Sequence, residues 1–170
     1  MSTIARPASR RLGELLVERT GLSLEQVAHA LAARTDPRER VGQAMVRLGY
    51  LTEADVVAAL AQQFALPVAD AQRLTTANRE AVQLVPEQLA RQAQVLALAR
   101  DGDTLEVAVG DPLDVLSLDH LRALTGCSLR VLVARPSEVA EAIDQFYSEL
   151  RATEHLGAIL DNIDVTATGA

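Results

Sequence analysis

Arg11-Leu12-Gly13-Glu14-Leu15-Leu16-Val17 and Arg40-Val41-Gly42-Gln43-Ala44-Met45-Val46 are two copies of one pattern, offset by 29 residues. Working outward from them, Leu22-Ser23 matches Leu51-Thr52, Val27-Ala28 matches Val56-Val57, and Ala30-Leu31 matches Ala59-Leu60. The register holds without a gap over 24 residues, 11–34 and 40–63, with five residues between the copies. Such a period is the signature of a duplicated supersecondary unit.

Each copy reads as two short helices joined by a tight turn. Leu12, Leu15 and Leu16 have helical spacing, and Gly21 follows as a helix stop. Ser23 with Gln26 three residues on forms a capping-box pattern, and the second helix is expected to turn Val27, Ala28 and Leu31 inward. In the second copy Val41, Ala44, Met45 and Leu48 precede Gly49. Thr52 then caps a helix carrying Val56, Val57, Leu60 and Phe64 inward. Pro37 lies in the connector, where a helix breaker belongs.

Apolar periodicity asks for nothing more than a hairpin pair packed on itself. The arginines ask for more. Arg11 and Arg40 open helices, where the backbone dipole is already positive, a placement unfavourable by about 0.3–1 kcal/mol. Two such arginines at equivalent places could clamp a ligand with two negative charges.

Beyond Phe64 the pattern changes. Leu66-Pro67-Val68 is a short extended stretch, and residues from about 76 to 92 read as two short helices broken at Pro86. Val95–Ala99 and Leu105–Val109 are strand-like, with the hairpin signal Asp101-Gly102 between them. Gly110-Asp111-Pro112 marks a loop. A helix through Leu116, Leu118, Leu121 and Leu124 then stops at Gly126. Leu129–Val133 is a further strand, and Pro136 opens a helix carrying Val139, Ile143 and Phe146. The expected class is α+β: duplicated helical hairpins, then a small mixed sheet covered by helices. The expected divisions are a flexible 1–9, a helical repeat at 10–64, an α+β part at 65–147, and a linker or amphipathic tail at 148–170.

Composition narrows the function. The 170 residues are 49% hydrophobic with four aromatics, so Leu, Val and Ala must build the core. All 16 basic residues are Arg. With no Lys, a phosphate-binding P-loop and Schiff-base catalysis are both excluded. Residues 1–63 carry eight Arg against seven acids, and residues 64–170 eight against sixteen. An acidic second part with so few aromatics is unsuited to nucleic acid, whereas a compact anion on the first part is allowed. One cysteine, Cys127, permits no internal disulfide and fits a reducing cytoplasm. No apolar run is long enough to span a bilayer. His29, His120 and His155 lack metal-ligand spacing with Cys127, and Asp111 with Asp114 is expected to cap a helix rather than run acid–base chemistry. The chain is read as non-catalytic.

Three segments in order resemble the N-terminal domain of type II secretion and type IV pilus-assembly ATPases, over roughly residues 10–147. They are the duplicated Arg-Leu-Gly-x-x-Leu-Val pattern, Val85-Pro86-Glu87-Gln88-Leu89-Ala90-Arg91 before the hairpin, and Val107–Asp114 followed by Leu121–Gly126. The resemblance implies docking onto the cytoplasmic part of an inner-membrane platform protein, at a cytoplasmic location, with an ATPase domain elsewhere in the full-length chain. A free-standing receptor without a motor is the alternative. It also implies cyclic di-GMP as ligand, bound through two 24-residue motifs separated by five residues. No other cofactor, nucleic-acid partner or membrane insertion is expected.

Carried over residue by residue, the implied ligand residues are Arg11, Leu12, Gly13, Leu16 and Val17 from the first copy. The second copy contributes Arg40, Val41, Gly42, Met45, Val46, Gly49 and Gln63. Arg34 stands where the motif has Gln, and Asp111 lies in a loop that could reach the ligand. Thr20 stands where the motif has Gly, a substitution that would cost roughly 1–2 kcal/mol if a left-handed backbone were required there.

Overall fold

The computed structural model describes residues 8–168, with side chains from Leu12 to Ile163. The first copy of the repeat folds as α1 (Ala8–Thr20) and α2 (Leu24–Ala32), the second as α3 (Val41–Arg47) and α4 (Glu53–Phe64). The caps are those the sequence announces. Ser23 accepts from the Gln26 amide while the Gln26 side chain accepts from the Ser23 amide, and Thr52 and Asp55 repeat the exchange. That exchange holds the Asp55 carboxyl below its usual range, the Thr52 amide being the main cause.

The duplication is visible in the packing. Helices pair chiefly across copies, α1 on α4 and α2 on α3, an arrangement that the exchange of the two copies maps onto itself. Arg19 donates to the Gln62 side chain at 2.6 Å, tying α1 to α4, and His29 meets the Tyr50 hydroxyl at 2.7 Å. Within each copy the two helices meet at a glycine facing a valine, Gly13 against Val27 and Gly42 against Val56. The glycine of each Arg-x-Gly therefore has a packing reason of its own, and the arginines are not equivalent: α1 begins at Ala8, before Arg11, whereas Arg40 caps α3.

The two glycines differ in slack. A β-carbon on Gly42 would lie 2.9 Å from Val56 Cγ1, whereas one on Gly13 would lie 3.6 Å from Val27 Cγ1. Val56 is β-branched and cannot swing away freely. Gly42→Ala is therefore expected to destabilise by about 1–3 kcal/mol of overpacking, offset by up to about 1 kcal/mol of helix propensity. Gly13→Ala keeps the propensity gain without the clash. Urea unfolding of the pair should give opposite signs.

Some inward assignments are corrected. In α2 the buried residue is Ala30, while Ala28 is exposed and Leu31 is 41% exposed, because α2 leans on α3 through its smallest side chain. Phe64, at the end of α4, is 37% exposed. Thr20 carries no strain. α1 runs two residues further than α3 and its left-handed glycine comes one residue later in the repeat, Gly21 (φ 70°) against Gly49 (φ 79°), so Thr20 stays helical with its hydroxyl on the Leu16 carbonyl.

The second part holds α5 (Ala71–Thr75), α6 (Arg79–Gln83), α7 (Glu87–Ala93), β1 (Val95–Asp101), β2 (Thr104–Val109), α8 (Val115–Thr125), β3 (Ser128–Val133) and α9 (Pro136–Thr168). The region read as two short helices has a third before it: Asp70 accepts from the Arg73 amide and caps α5. The sheet order is β1-β2-β3, with β1 antiparallel and β3 parallel to β2, and Val68 adds a parallel bridge to Val133. Gly102 turns the β1–β2 hairpin at φ 58°, and Gly126 ends α8 at φ 67°. Cys127 is buried as a small hydrophobe. α9 is continuous across residue 147 and on to residue 168.

Two apolar cores result. One gathers Leu12, Leu16, Met45, Val57 and Leu60 of the repeat, and the other gathers the sheet with α5–α9. Val133, at the end of β3, belongs to the repeat's core, so the sheet reaches into it.

The second core closes on a buried tyrosine. The Tyr147 hydroxyl donates to the Val85 carbonyl at 2.7 Å, with the Val82 carbonyl at 3.2 Å. Burial, and then the Glu87 charge, push its pKa up to about 12. The folded form thus holds this proton more tightly than an unfolded tyrosine does. The resulting stability is whole below pH 10 and is lost as pH rises through about 12. Tyr147→Phe is expected to cost about 1–3 kcal/mol at neutral pH and to flatten this alkaline limb, as followed by chemical denaturation.

Candidate functional site

Between the two cores lies a cleft of about 240 Å³. Leu12, Gly42, Val46, Val56 and Leu60 form its wall on the repeat side, and Gly110, Asp111, Leu113 and Pro136 its wall on the sheet side. A second hollow of about 360 Å³ adjoins it, lined by Leu31, Arg34, Arg38 and Val41, and shares Leu12, Arg40 and Leu113 with the first. The first is smaller than the roughly 300–1,000 Å³ usual for ligand pockets, and the second lies within that range.

Arg40 stands where the hollows meet. It is the N-cap of α3, its amide held by the Gln43 side chain at 2.9 Å. Its Nε donates to Asp111 Oδ2 at 3.3 Å and its Nη2 to the Leu113 carbonyl at 3.4 Å, crossing from the repeat to the loop after β2. Asp111 is oriented by the Leu113 amide, which donates to Oδ1 at 3.0 Å. Asp114 caps α8 by accepting from the Ser117 amide at 3.2 Å, as its position suggested. A second bridge links Glu53, in the first turn of α4, to the Ser137 amide at 3.3 Å and to its hydroxyl.

The neighbouring arginines are engaged differently. Arg47 holds Glu39 at 2.8 Å and the Ala33 carbonyl at 2.9 Å, and this hydrogen bond keeps the Glu39 carboxyl below its usual range. Arg34 donates to the Leu31 carbonyl at 3.2 Å and projects into the second hollow. Arg38 pairs with Asp36 at the exposed rim.

Of the residues carried over from the resemblance, Leu12, Arg40, Gly42, Val46 and Asp111 line the cleft, and Arg34 and Val41 line its neighbour. Leu16 and Met45 are fully buried core side chains, and Gly13 faces Val27. Val17 and Gln63 are half-buried in α1 and α4, and Gly49 forms the turn after α3. These do not line the cleft. The Arg11 side chain lies outside the described residues. Gly110, Leu113 and Pro136 were not foreseen, because no local pattern says that the β2 loop and the start of α9 fold against α3. Among the described residues no group of three or more His, Cys, Asp or Glu could hold a metal ion, and no helix is long and apolar enough to cross a membrane.

Paired helical hairpins against a three-stranded mixed sheet are the fold of the N-terminal domain class of secretion and pilus-assembly ATPases. The chain belongs to the MshEN domain family, which matches residues 64–153. It is 31% identical over 160 residues to the type IV pilus assembly ATPase PilB of Myxococcus xanthus, covering 93% of this chain and 28% of that protein. It is 26% identical over 166 residues to the type II secretion system protein E of Xanthomonas campestris pv. campestris, covering 96% and 29%. The chain thus spans less than a third of the length of these curated relatives. Among solved structures, it resembles MshE with cdg (cyclic di-GMP) at 35% identity and TM-score 0.70, covering 81% of this chain and 99% of that one. It resembles the N-terminal domain of XpsE at 27% identity and TM-score 0.71, covering 85% and 97%.

Proposed function

We propose that this chain is the regulatory and docking domain of a type II secretion or type IV pilus-assembly ATPase, and that it binds cyclic di-GMP across Arg40. The observation that carries this is the position of Arg40, at the junction of a cleft walled largely by leucine, valine and glycine and a second hollow that also presents Arg34 and Arg38. A ligand with two phosphates and two purines can straddle it, with apolar walls sheltering the bases and the guanidinium meeting a phosphate or stacking on a base. The likeness to MshE with cdg supports the same ligand. Leu12, Val41, Gly42, Val46, Arg34 and Asp111 would surround it. Arg11, Gly13, Leu16, Val17, Met45, Gly49 and Gln63 would act from the shell of helices behind.

The repeat (10–64) and the α+β part (65–147) would then respond together, since the ligand lies against both. ATP hydrolysis would belong to the further length that the relatives possess, and docking would be to the cytoplasmic part of a membrane platform protein. That the named curated relatives are much longer ATPases favours this over a free-standing receptor. Isothermal titration with cyclic di-GMP tests the ligand: micromolar or tighter binding is expected. An absence of heat at millimolar ligand would leave docking as the function.

A further inference from the structure

The long final helix changes face along its length. Val139, Ile143, Phe146 and Leu150 are buried against the body, at helical spacing. Continued, that line would meet Glu154, Gly157 and Asp161, none of which is an apolar side chain. Arg151 still reaches the body through the Glu87 carboxylate, while from Ala152 through Ile163 every side chain is exposed and Gly157 is half-buried. A second stripe begins there: Leu156 is 57% exposed, Ile159 42%, Leu160 53% and Ile163 54%. At 3.6 residues per turn this stripe is turned by roughly 130° from the first. It faces away from the body, whose described residues leave it exposed.

The geometry points to a second copy of this chain as its occupant, in a parallel helix pair. Ala152, Leu156, Ile159 and Ile163 are spaced by four, three and four residues, the seam spacing of coiled coils. The positions flanking such a seam are Thr153 and Leu160 on one side and His155 and Asn162 on the other. None carries a formal charge at neutral pH, so an identical helix meets no like-charge repulsion. The charged residues Arg151, Glu154 and Asp161 lie further round. Because the stripe faces away from the body, two bodies can sit on opposite sides of the pair without collision. Two heptads make a short seam, and the association is weak, with a dissociation constant on the order of 100 μM.

Sedimentation equilibrium of the chain, from about 10 μM to 1 mM, tests this without any ligand. The weight-average mass should rise from 18.2 kDa toward twice that value. A double substitution His155→Glu with Leu160→Glu puts like charges on both flanks and should remain monomeric, as should His155→Lys with Leu160→Lys. An equimolar mixture of the two should associate again, which simple loss of helix could not produce. A wild-type chain monomeric throughout, an acidic variant that still associates, or a mixture that stays monomeric would each overturn the proposal.

Discussion

Arg40→Ala is expected to weaken cyclic di-GMP binding by about 10- to 100-fold, equivalent to the 1.5–3 kcal/mol of a charge-assisted hydrogen bond. Three observations set the size. The guanidinium lies at the junction of the two hollows, and no other charged residue lines both. Its side chain is 43% exposed, so a ligand can approach it. Its present partners, Asp111 and the Leu113 carbonyl, hold it in position from across the cleft. Arg122→Ala is the control. That side chain is 45% exposed, pairs with its near neighbour Asp119 and lines neither hollow, so its loss should change affinity less than about threefold. Titration calorimetry of both variants at two salt concentrations separates them, since the direct phosphate contact should carry most of the salt dependence. Equal, small effects from the two substitutions would remove Arg40 from the site.

That contrast also shows how far the sequence could be read. The helical hairpins were legible because each carries its own punctuation: Ser23 with Gln26, Thr52 with Asp55, and glycines that end helices. These are local signals, and local structure obeyed them. Arg40 and Asp111 were both legible as candidates, one from the repeat and one from its loop, but their separation in sequence hides their pairing. Which face of α2 turns inward was misread because Ala28 and Ala30 are equally apolar, and only the approach of α3 decides between them. The third short helix was hidden behind Asp70, a cap followed by a single turn too short to show periodicity. The roles of Leu16 and Met45 could not be separated by pattern, since a ligand-shielding residue and a core residue have the same chemistry and spacing.

Met45→Ala addresses that ambiguity. Met45 is at 0% exposure in the repeat's core, on the buried face of α3. Its truncation should leave a cavity and cost about 2–5 kcal/mol. For a chain of 170 residues this corresponds to a fall of roughly 5–15 °C in melting temperature. Leu31→Ala, on the exposed face of α2, should cost less than about 1 kcal/mol. The course of unfolding carries further information, because Val133 projects from β3 into this same core, where α4 packs against the strand. If that insertion couples the two cores, Met45→Ala should lower the transitions of both together, with circular dichroism and the near-ultraviolet signal of Tyr147 moving in step. A repeat that melts early while Tyr147 keeps its native signal would mean that Val133 is a loose seam. The cleft above it would then be a joint that a ligand could close. An unchanged melting temperature with lost ligand binding would return Met45 to the binding surface and contradict its burial.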